Sequence, residues 1–154
     1  MANSEPIMGC IACRVARGEC TPRGGFVYEN THWTVNHLLG DTPWKGWLVL
    51  QPRRHVEAFH ELNPEELTCF TSILSILDEA ARTVLRAEKM YICLFAEDLD
   101  CQHLHFHLIP RYPDMSARGP SIFQLETNAI PAITELEVPE IVDKLRNFIN
   151  SRER

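Results

Sequence analysis

Three histidines at alternate positions, His103, His105 and His107, are the residues of this sequence whose spacing points most directly to chemistry. Successive side chains of a β-strand point to opposite faces, so residues two apart share a face and lie roughly 7 Å from each other. A strand here would present a row of imidazoles on one face and turn the apolar residues between them toward the core. Imidazole is a poor core filler, and its regular spacing therefore indicates a functional site.

This row of imidazoles has three interpretations that the spacing alone leaves open. A neutral imidazole can act as a nucleophile while its neighbours polarise an anionic substrate, because imidazole changes its charge near pH 7. Imidazoles at alternate positions can instead share a metal ion, which would make the protein a metal-dependent hydrolase. The third interpretation is a solvated sheet face without a chemical role.

A second group of candidate residues is the C-x-x-C formed by Cys10 and Cys13 near the N-terminus. Two thiolates at this spacing supply half of a tetrahedral zinc shell. A redox motif and two buried thiols are the alternatives. A redox C-x-x-C is typical of a βαβ unit, which the surrounding sequence does not suggest, so we favour a metal-binding role.

The elements that must position these residues follow from hydrophobic periodicity and turn residues. Strands are expected at residues 26–29, 32–37, 47–51, 90–95 and 103–109. A long helix begins after Asn63, which forms a capping box with Glu66, and continues to about residue 88. A final helix is expected at residues 139–150. This order predicts an α+β fold, with a mainly antiparallel sheet of about five strands, one long helix and a C-terminal helix.

The length of 154 residues suits a single domain spanning residues 1–154. We divide it into an N-terminal arm with the C-x-x-C (1–25), a core (26–113) and a C-terminal loop and helix (114–154). A hydrophobic content of 45% with 23% charged residues is ordinary for a globular protein and argues against disorder.

Charge and composition also exclude several classes of partner. The 15 basic and 21 acidic residues give a formal net charge of −6, which argues against nucleic acid polymers and anionic membranes. Apolar runs such as residues 47–50 are far too short to span a membrane. The N-terminus lacks the pattern of a secretory signal, and six cysteines in such a chain favour reduced thiols. We therefore expect a cytoplasmic protein.

The triad segment, H-L-H-F-H-L-I, resembles the signature of the histidine-triad (HIT) superfamily of nucleotide hydrolases and transferases. Residues 46–56, G-W-L-V-L-Q-P-R-R-H-V, are similar to the family block G-H-x-L-x-x-P-K-x-H-V, and residues 107–111 are similar to its H-x-x-P-R ending. The C-x-x-C resembles the N-terminal arm of zinc-binding, bacterial-type members. The resemblance implies a HIT-like fold.

The resemblance also implies a role for each matching residue. His105 would attack the α-phosphorus of a nucleoside phosphoanhydride or phosphoramidate, such as a dinucleoside polyphosphate, and form a covalent nucleotidyl-histidine intermediate. His107 would donate to a phosphate oxygen, Asn36 would bind the ribose and Arg111 would face phosphate. The partner would be a small-molecule nucleotide.

A structural zinc ion is implied as well, held by Cys10, Cys13, His55 and His103. It would tie the N-terminal arm to the sheet and fix the strand that carries the triad. Family members commonly pair through the long helix and an adjoining strand, so the resemblance implies a homodimer.

The segment just before the triad departs from the family pattern. The family carries N…G-Q-[ST]-x-x-H there, whereas residues 96–103 of this chain are A-E-D-L-D-C-Q-H. Glu97, Asp98 and Asp100 would place negative charge near a phosphate, which is repulsive. The departure leaves an alternative function, a nucleotide-binding regulatory module with little turnover.

Overall fold

The computed structural model of the chain describes residues 9–40, 44–125 and 132–153. Its centre is a sheet of five antiparallel strands in the spatial order β1-β2-β3-β5-β4. The strands are β1 (Phe26–Glu29), β2 (Trp33–His37), β3 (Leu48–Pro52), β4 (Lys89–Leu94) and β5 (Phe106–Arg111). The antiparallel sheet and its five strands confirm the predicted α+β fold.

In the described residues, three α-helices accompany the sheet: α1 (Ile11–Ala16), α2 (Pro64–Val84) and α3 (Val138–Arg152). Two short 3-10 turns lie at Phe59–Glu61 and Gly119–Gln124. The capping box of α2 forms as predicted, because Asn63 Oδ1 accepts from the Glu66 amide at 2.9 Å and Glu66 Oε2 accepts from the Asn63 amide at 2.9 Å. None of the helices in the described ranges is long and apolar enough to cross a membrane.

Helix α2 ends before the predicted residue 88. Its last helical residue is Val84, and Arg86 follows with φ of 62°, the left-handed conformation that terminates helices. The chain then turns directly into β4. The C-terminal helix α3 is slightly longer than the expected 139–150.

The strand register separates a core face from a second face that carries the candidate residues. Leu50 and Leu108 are fully buried in the main apolar core, to which α2 and α3 also contribute. On the other face, Asn36 of β2 pairs with Val49 of β3, and Val49 pairs with His107 of β5. Paired residues of neighbouring strands point to the same side, so these three side chains form a row across the sheet.

Strand β5 begins at Phe106, three residues later than the start predicted at His103. The reason lies in β3, which ends at Pro52 and so offers no further amide to continue the β3–β5 ladder. Leu104 is nevertheless held in place, because its amide donates to the Val56 carbonyl at 2.7 Å. The expected alternation survives: Leu104 is fully buried on the core side.

Candidate functional site

The three histidines of the triad occupy two environments. His103 is fully buried and faces the N-terminal arm, whereas His105 and His107 are half-buried and line an open cavity. The rings of His105 and His107 lie edge to face, with centroids 4.9 Å apart. The row predicted from the sequence is therefore divided. His103 belongs to a buried cluster, and His105 and His107 belong to the cavity.

The first environment is a buried cluster of Cys10, Cys13, His55 and His103, the four residues expected to hold zinc. Their ligand atoms all lie within 4.8 Å of one another. Cys13 Sγ is 3.2 Å from His55 Nδ1 and 3.4 Å from His103 Nδ1. Zinc bonds of about 2.3 Å to sulfur and 2.0 Å to nitrogen place tetrahedral ligands about 3.3–3.8 Å apart. The donor set and its spacing fit a zinc ion.

The outer nitrogens of both cluster histidines have partners of the kind that metal-binding histidines have. His103 Nε2 lies 2.9 Å from the Pro52 carbonyl, and His55 Nε2 lies 3.4 Å from Glu57 Oε1. Because a carbonyl and a carboxylate accept hydrogen bonds, Nε2 carries the proton in each ring and Nδ1 keeps its lone pair for the cluster. Burial also lowers the pKa of His103 to about 4, which keeps it neutral.

Polar contacts from β3 and the residue after it dock the N-terminal arm beside the cluster. Cys10 caps α1, since its Sγ accepts from the Cys13 amide at 3.4 Å. Gln51 Nε2 donates to the Ala12 carbonyl at 3.1 Å, and Arg53 Nη1 donates to the Ala16 carbonyl at 3.0 Å. The arm is thus fixed at both ends of its short helix.

In the second environment, His105 is oriented by the backbone of the cluster residue His103. Its Nδ1 lies 2.7 Å from the His103 carbonyl oxygen, which can only accept. The ring therefore carries its proton on Nδ1, and Nε2 keeps a free lone pair. This is the protonation state that a nucleophilic imidazole requires.

His107 is held in the opposite tautomer by Trp47, the residue immediately before β3. The indole Nε1 donates to His107 Nδ1 at 3.0 Å. The neutral ring consequently carries its proton on Nε2, as a hydrogen-bond donor. Burial, and secondarily the proximity of His105, lowers the pKa of His107 to about 4.

The cavity beside these two histidines has a volume of about 440 Å³, within the range of small-molecule sites. One wall comes from α1 and the others from the sheet and the segment after β4. Its lining residues are Ile11, Ala12, Val15, Asn36, Leu38, Leu39, Val49, Gln51, Phe95, Ala96, Glu97, Asp98, Cys101, His105 and His107. The lining is mainly apolar, with a few polar groups that could orient a ligand.

Asn36 contributes a buried acceptor to this cavity. Its Nδ2 donates to the His37 carbonyl at 2.8 Å, while Oδ1 has no hydrogen-bond partner among the described residues. A buried acceptor without a partner costs about 1–3 kcal/mol, so such groups usually await a ligand or water. A hydroxyl group of a bound molecule would satisfy it.

The cavity is lined in part by acidic side chains. Glu97 and Asp98 line it, and none of its lining residues in the described ranges is Lys or Arg. Asp98 Oδ1 accepts from the Asp100 amide at 2.9 Å, which fixes the turn, while Asp100 itself is exposed and outside the lining. The acidic segment that departs from the family pattern therefore lies beside the histidines.

Two further polar residues, Arg111 and His37, lie outside the cavity lining. Arg111, predicted to face phosphate, lies at the far end of β5, where its guanidinium pairs with Glu88. His37 accepts from the Gly46 amide at 3.3 Å through Nε2, and burial lowers its pKa. His37 therefore stabilises the turn between β2 and β3. Its ring is neutral, because Nε2 needs its lone pair to accept from the Gly46 amide.

Sequence reasoning missed the residues of β3 that face the cavity and the aromatic contacts of His107. Val49 and Gln51 alternate with the core residues of β3, and that alternation was the signal that could have placed them beside Asn36. Trp47 occupies the second position of the G-W-L-V block, where the family pattern has His. Phe95, whose ring lies 5.5 Å from that of His107, carried no signal.

Comparisons with known proteins identify the same architecture. A family model described as HIT domain matches residues 26–114. An uncharacterized HIT-like protein from Methanocaldococcus jannaschii is 30% identical over 112 residues, which cover 67% of this chain and 79% of that protein.

Solved structures of low sequence identity have the same fold. A zinc-bound histidine triad family protein from Mycobacterium smegmatis has a TM-score of 0.67 at 18% identity and covers 95% of this chain and 96% of its own. A hypothetical histidine triad nucleotide-binding protein from Sulfolobus tokodaii has a TM-score of 0.68 at 21% identity, covering 94% and 95%. A Hit-like protein involved in cell-cycle regulation from Bartonella henselae has a TM-score of 0.69 at 18% identity, covering 93% and 98%.

Proposed function

The chain belongs to the HIT domain family, and from this membership and the geometry of its histidines we propose that it is a nucleotide hydrolase or transferase. His105 would attack the α-phosphorus of a nucleoside phosphoramidate or phosphoanhydride. The observation that carries this proposal is the 2.7 Å contact of His105 Nδ1 with the His103 carbonyl, which leaves the Nε2 lone pair free. That ring lines a cavity large enough for a nucleotide.

The first step forms a bond between His105 Nε2 and phosphorus and breaks the bond from phosphorus to the leaving group. The leaving group departs with the bonding electrons and takes up a proton from solvent. His107 donates its Nε2 proton in a hydrogen bond to a non-bridging oxygen, where negative charge builds up in the transition state. The product of this step is a nucleotidyl-histidine.

In the second step, water or another acceptor attacks the same phosphorus and gives up a proton to solvent, and the bond to Nε2 breaks. Nucleoside monophosphate leaves when the acceptor is water, and His105 regains its lone pair. Covalent catalysis divides one difficult displacement into two easier ones. Asn36 Oδ1, buried without a partner, would accept from a ribose hydroxyl throughout.

Zinc is the metal that the cluster of Cys10, Cys13, His55 and His103 would hold, as its donor set and spacing support. Its role would be structural: it would join α1 to the residues before β5 and fix the carbonyl that orients His105. The three-histidine metal site considered from the sequence has no such support, because only His103 belongs to the cluster.

Of the two substrate types, the cavity favours a phosphoramidate over a dinucleoside polyphosphate. Glu97 and Asp98 would face a polyphosphate chain carrying several negative charges, without a Lys or Arg among the described lining residues to balance it. A phosphoramidate carries one phosphoryl group, to which the Nε2–H of His107 would donate.

A nucleotide-binding module with little turnover is the second candidate function. It is favoured by the same segment, which has A-E-D-L-D-C-Q in place of the family's G-Q-[ST]. Binding without turnover would follow if those acidic side chains destabilise the charge that develops on the leaving group.

We also propose a cytoplasmic homodimer. Strand β4 is an edge of the sheet, and Ile92 and Leu94 on it are 50% and 44% exposed. A second copy pairing along β4 would cover both side chains. Sedimentation should give a dimer that Ile92→Lys converts to a monomer, whereas a monomeric wild type at micromolar concentration would contradict this.

Trapping the intermediate tests the proposed enzyme. The protein would be mixed with adenosine 5′-phosphoramidate, quenched in alkaline denaturant, and examined by intact mass for one added nucleoside monophosphoryl group. His105→Ala should abolish the adduct and the release of AMP, while the exposed-site control His60→Ala should keep both. Tight AMP binding without adduct or release would favour the binding module, and turnover surviving in His105→Ala would exclude His105 as the nucleophile.

A further inference from the structure

The indole of Trp47 makes a specific contact with His107. Its Nε1 is 3.0 Å from His107 Nδ1, and the two rings meet edge to face, with centroids 5.6 Å apart and planes at 83°. This is a directed hydrogen bond. The proposed reaction uses the Nε2 proton of His107 and gives no part to Trp47.

An indole N–H differs from the other groups that contact the two cavity histidines because it can only donate. Opposite such a donor, His107 Nδ1 must be the acceptor, so the neutral ring has its proton on Nε2. A protonated imidazolium would present a second N–H toward the indole N–H, which is repulsive. The contact therefore disfavours both the other tautomer and the charged form.

The neighbouring ring has the opposite arrangement. His105 faces the carbonyl of His103, which can only accept, so its proton is on Nδ1. Two imidazoles with ring centroids 4.9 Å apart are thus held in opposite tautomers, one with a free lone pair and one with a donor on the corresponding atom.

The indole is itself fixed in place. The Trp47 carbonyl accepts from the Leu38 amide at 2.8 Å, and its amide donates to the Trp44 carbonyl at 3.3 Å. The ring of Trp44 packs edge-on against it at 5.6 Å, and the Trp44 indole donates to the Pro110 carbonyl at 2.9 Å. A donor held at so many points can impose a tautomer without moving to accommodate the other one.

We propose that Trp47 is a positioning residue that fixes His107 as a neutral Nε2–H donor aimed at the phosphoryl oxygens of the substrate. The proposal rests on the proposed function for its consequence in catalysis, but its structural part concerns only two side chains. It gives a physical reason for a tryptophan at the position where the family block has a histidine. Both side chains have a ring N–H donor, but the tryptophan ring has no acceptor nitrogen.

Nitrogen NMR of the histidine rings tests the structural part without any substrate. In the wild type, His107 should show a pyridine-like Nδ1 and a pyrrole-like Nε2. Trp47→Phe keeps an aromatic ring but removes the donor, so both signals should move toward the average of the two tautomers. Phe95→Leu, which alters an aromatic contact of the same ring without removing a hydrogen bond, is the matched control and should leave the tautomer unchanged.

Kinetics with adenosine 5′-phosphoramidate tests the catalytic part. Trp47→Phe should lower kcat about 5- to 10-fold with KM changed less than about 2-fold, because one hydrogen bond of ordinary strength is lost in the transition state. Trp47→His, which restores a ring N–H, should recover most of the loss.

The outcomes separate this proposal from the one it rests on. A wild-type His107 with its proton on Nδ1, or a Trp47→Phe spectrum identical to that of the wild type, overturns the positioning role whether or not the protein turns over nucleotides. A correct tautomer with an unchanged kcat in Trp47→Phe overturns its catalytic part. Absence of any nucleotidyl adduct in the wild type refutes the proposed enzyme and leaves the tautomer result standing.

Discussion

The buried cluster and the open cavity lie on either side of the same short segment, yet they differ in how far their polar groups are satisfied. In the cluster, both histidines have partners on their second nitrogen, and the four ligand atoms lie within 4.8 Å of one another. In the cavity, Asn36 Oδ1 has no partner among the described residues and two carboxylates line one wall. The cluster therefore has the donor set and spacing of a metal site, whereas the cavity presents a buried acceptor that a bound molecule could satisfy.

The difference teaches how the two regions divide their tasks. The cluster fixes the position of the His103 backbone, and the carbonyl of that residue orients His105 on the cavity side. Substitutions in the cluster should therefore affect both stability and catalysis. Substitutions in the cavity should affect catalysis or binding alone.

Removing one thiolate from the cluster is expected to have the largest effect. Cys13→Ala should abolish binding of one equivalent of zinc and lower the free energy of unfolding by more than about 4 kcal/mol, because metal binding and folding are coupled. Elemental analysis and denaturant unfolding measure the two effects. Cys20→Ala, a thiol outside the cluster, should change stability by less than about 0.5 kcal/mol. Full zinc content in Cys13→Ala would eliminate the proposed ligand set.

Acidification of the metal-free protein should have the next largest effect. His103 and His107 have pKa values of about 4 in the folded protein, whereas histidine in an unfolded chain has a pKa of about 6.5. Between these values the unfolded chain binds more protons, so stability is complete above about pH 6.5 and is lost as the pH falls toward 4. The fully buried His103 should account for on the order of 2–3 kcal/mol, and the half-buried His107 for less, because solvent screens part of its cost.

Urea unfolding of chelator-treated protein at a series of pH values checks this expectation. His107→Gln removes one of the histidines whose pKa burial lowers, so the fall in stability should become less steep, while His103 and His37 continue to contribute to it. An unfolding midpoint that stays constant from pH 7 to pH 4.5 would contradict the burial of both rings in neutral form.

Asn36→Ala probes the cavity without the cluster, and a smaller effect is expected. The substitution removes the proposed acceptor for a ribose hydroxyl, so KM for adenosine 5′-phosphoramidate should rise about 10-fold, while the zinc content stays the same. For the wild type, KM should rise by a similar factor when the 2′- or 3′-hydroxyl is removed from the substrate. For Asn36→Ala, KM should be the same with the deoxy substrate as with the hydroxylated one. Equal discrimination by wild type and variant would remove Asn36 from the ribose site.

The sequence predicted the cluster better than the cavity, and the reason is physical. Metal ligands are restricted to a few residue types, so Cys10, Cys13, His55 and His103 could be proposed from type and family order, and the structure brings all four together. A cavity is lined by side chains of every type, whose identity depends on which strands become neighbours.

The limits of the fold prediction have similar causes. Strand order follows from the register of β3 with β5, which no local pattern specifies, and the late start of β5 depends on Pro52 in a different strand. The contact between Trp47 and His107 joins residues 60 positions apart. The capping box of α2, in contrast, is local, and the sequence located it correctly.

Neutralising the acidic wall should give the smallest effect and sharpens the contrast between the two regions. The Glu97→Gln, Asp98→Asn double variant should raise kcat/KM for a dinucleoside polyphosphate about 3- to 5-fold and leave the phosphoramidate within about 2-fold, because both carboxylates are exposed and partly screened. The gain should shrink in high salt, where screening already weakens the repulsion. Asp100→Asn, in the same segment but outside the lining, should produce no such gain. An equal gain for both substrates would mean that the acidic wall acts on the nucleotide as a whole, and the preference for a singly charged substrate would then have to come from elsewhere in the cavity.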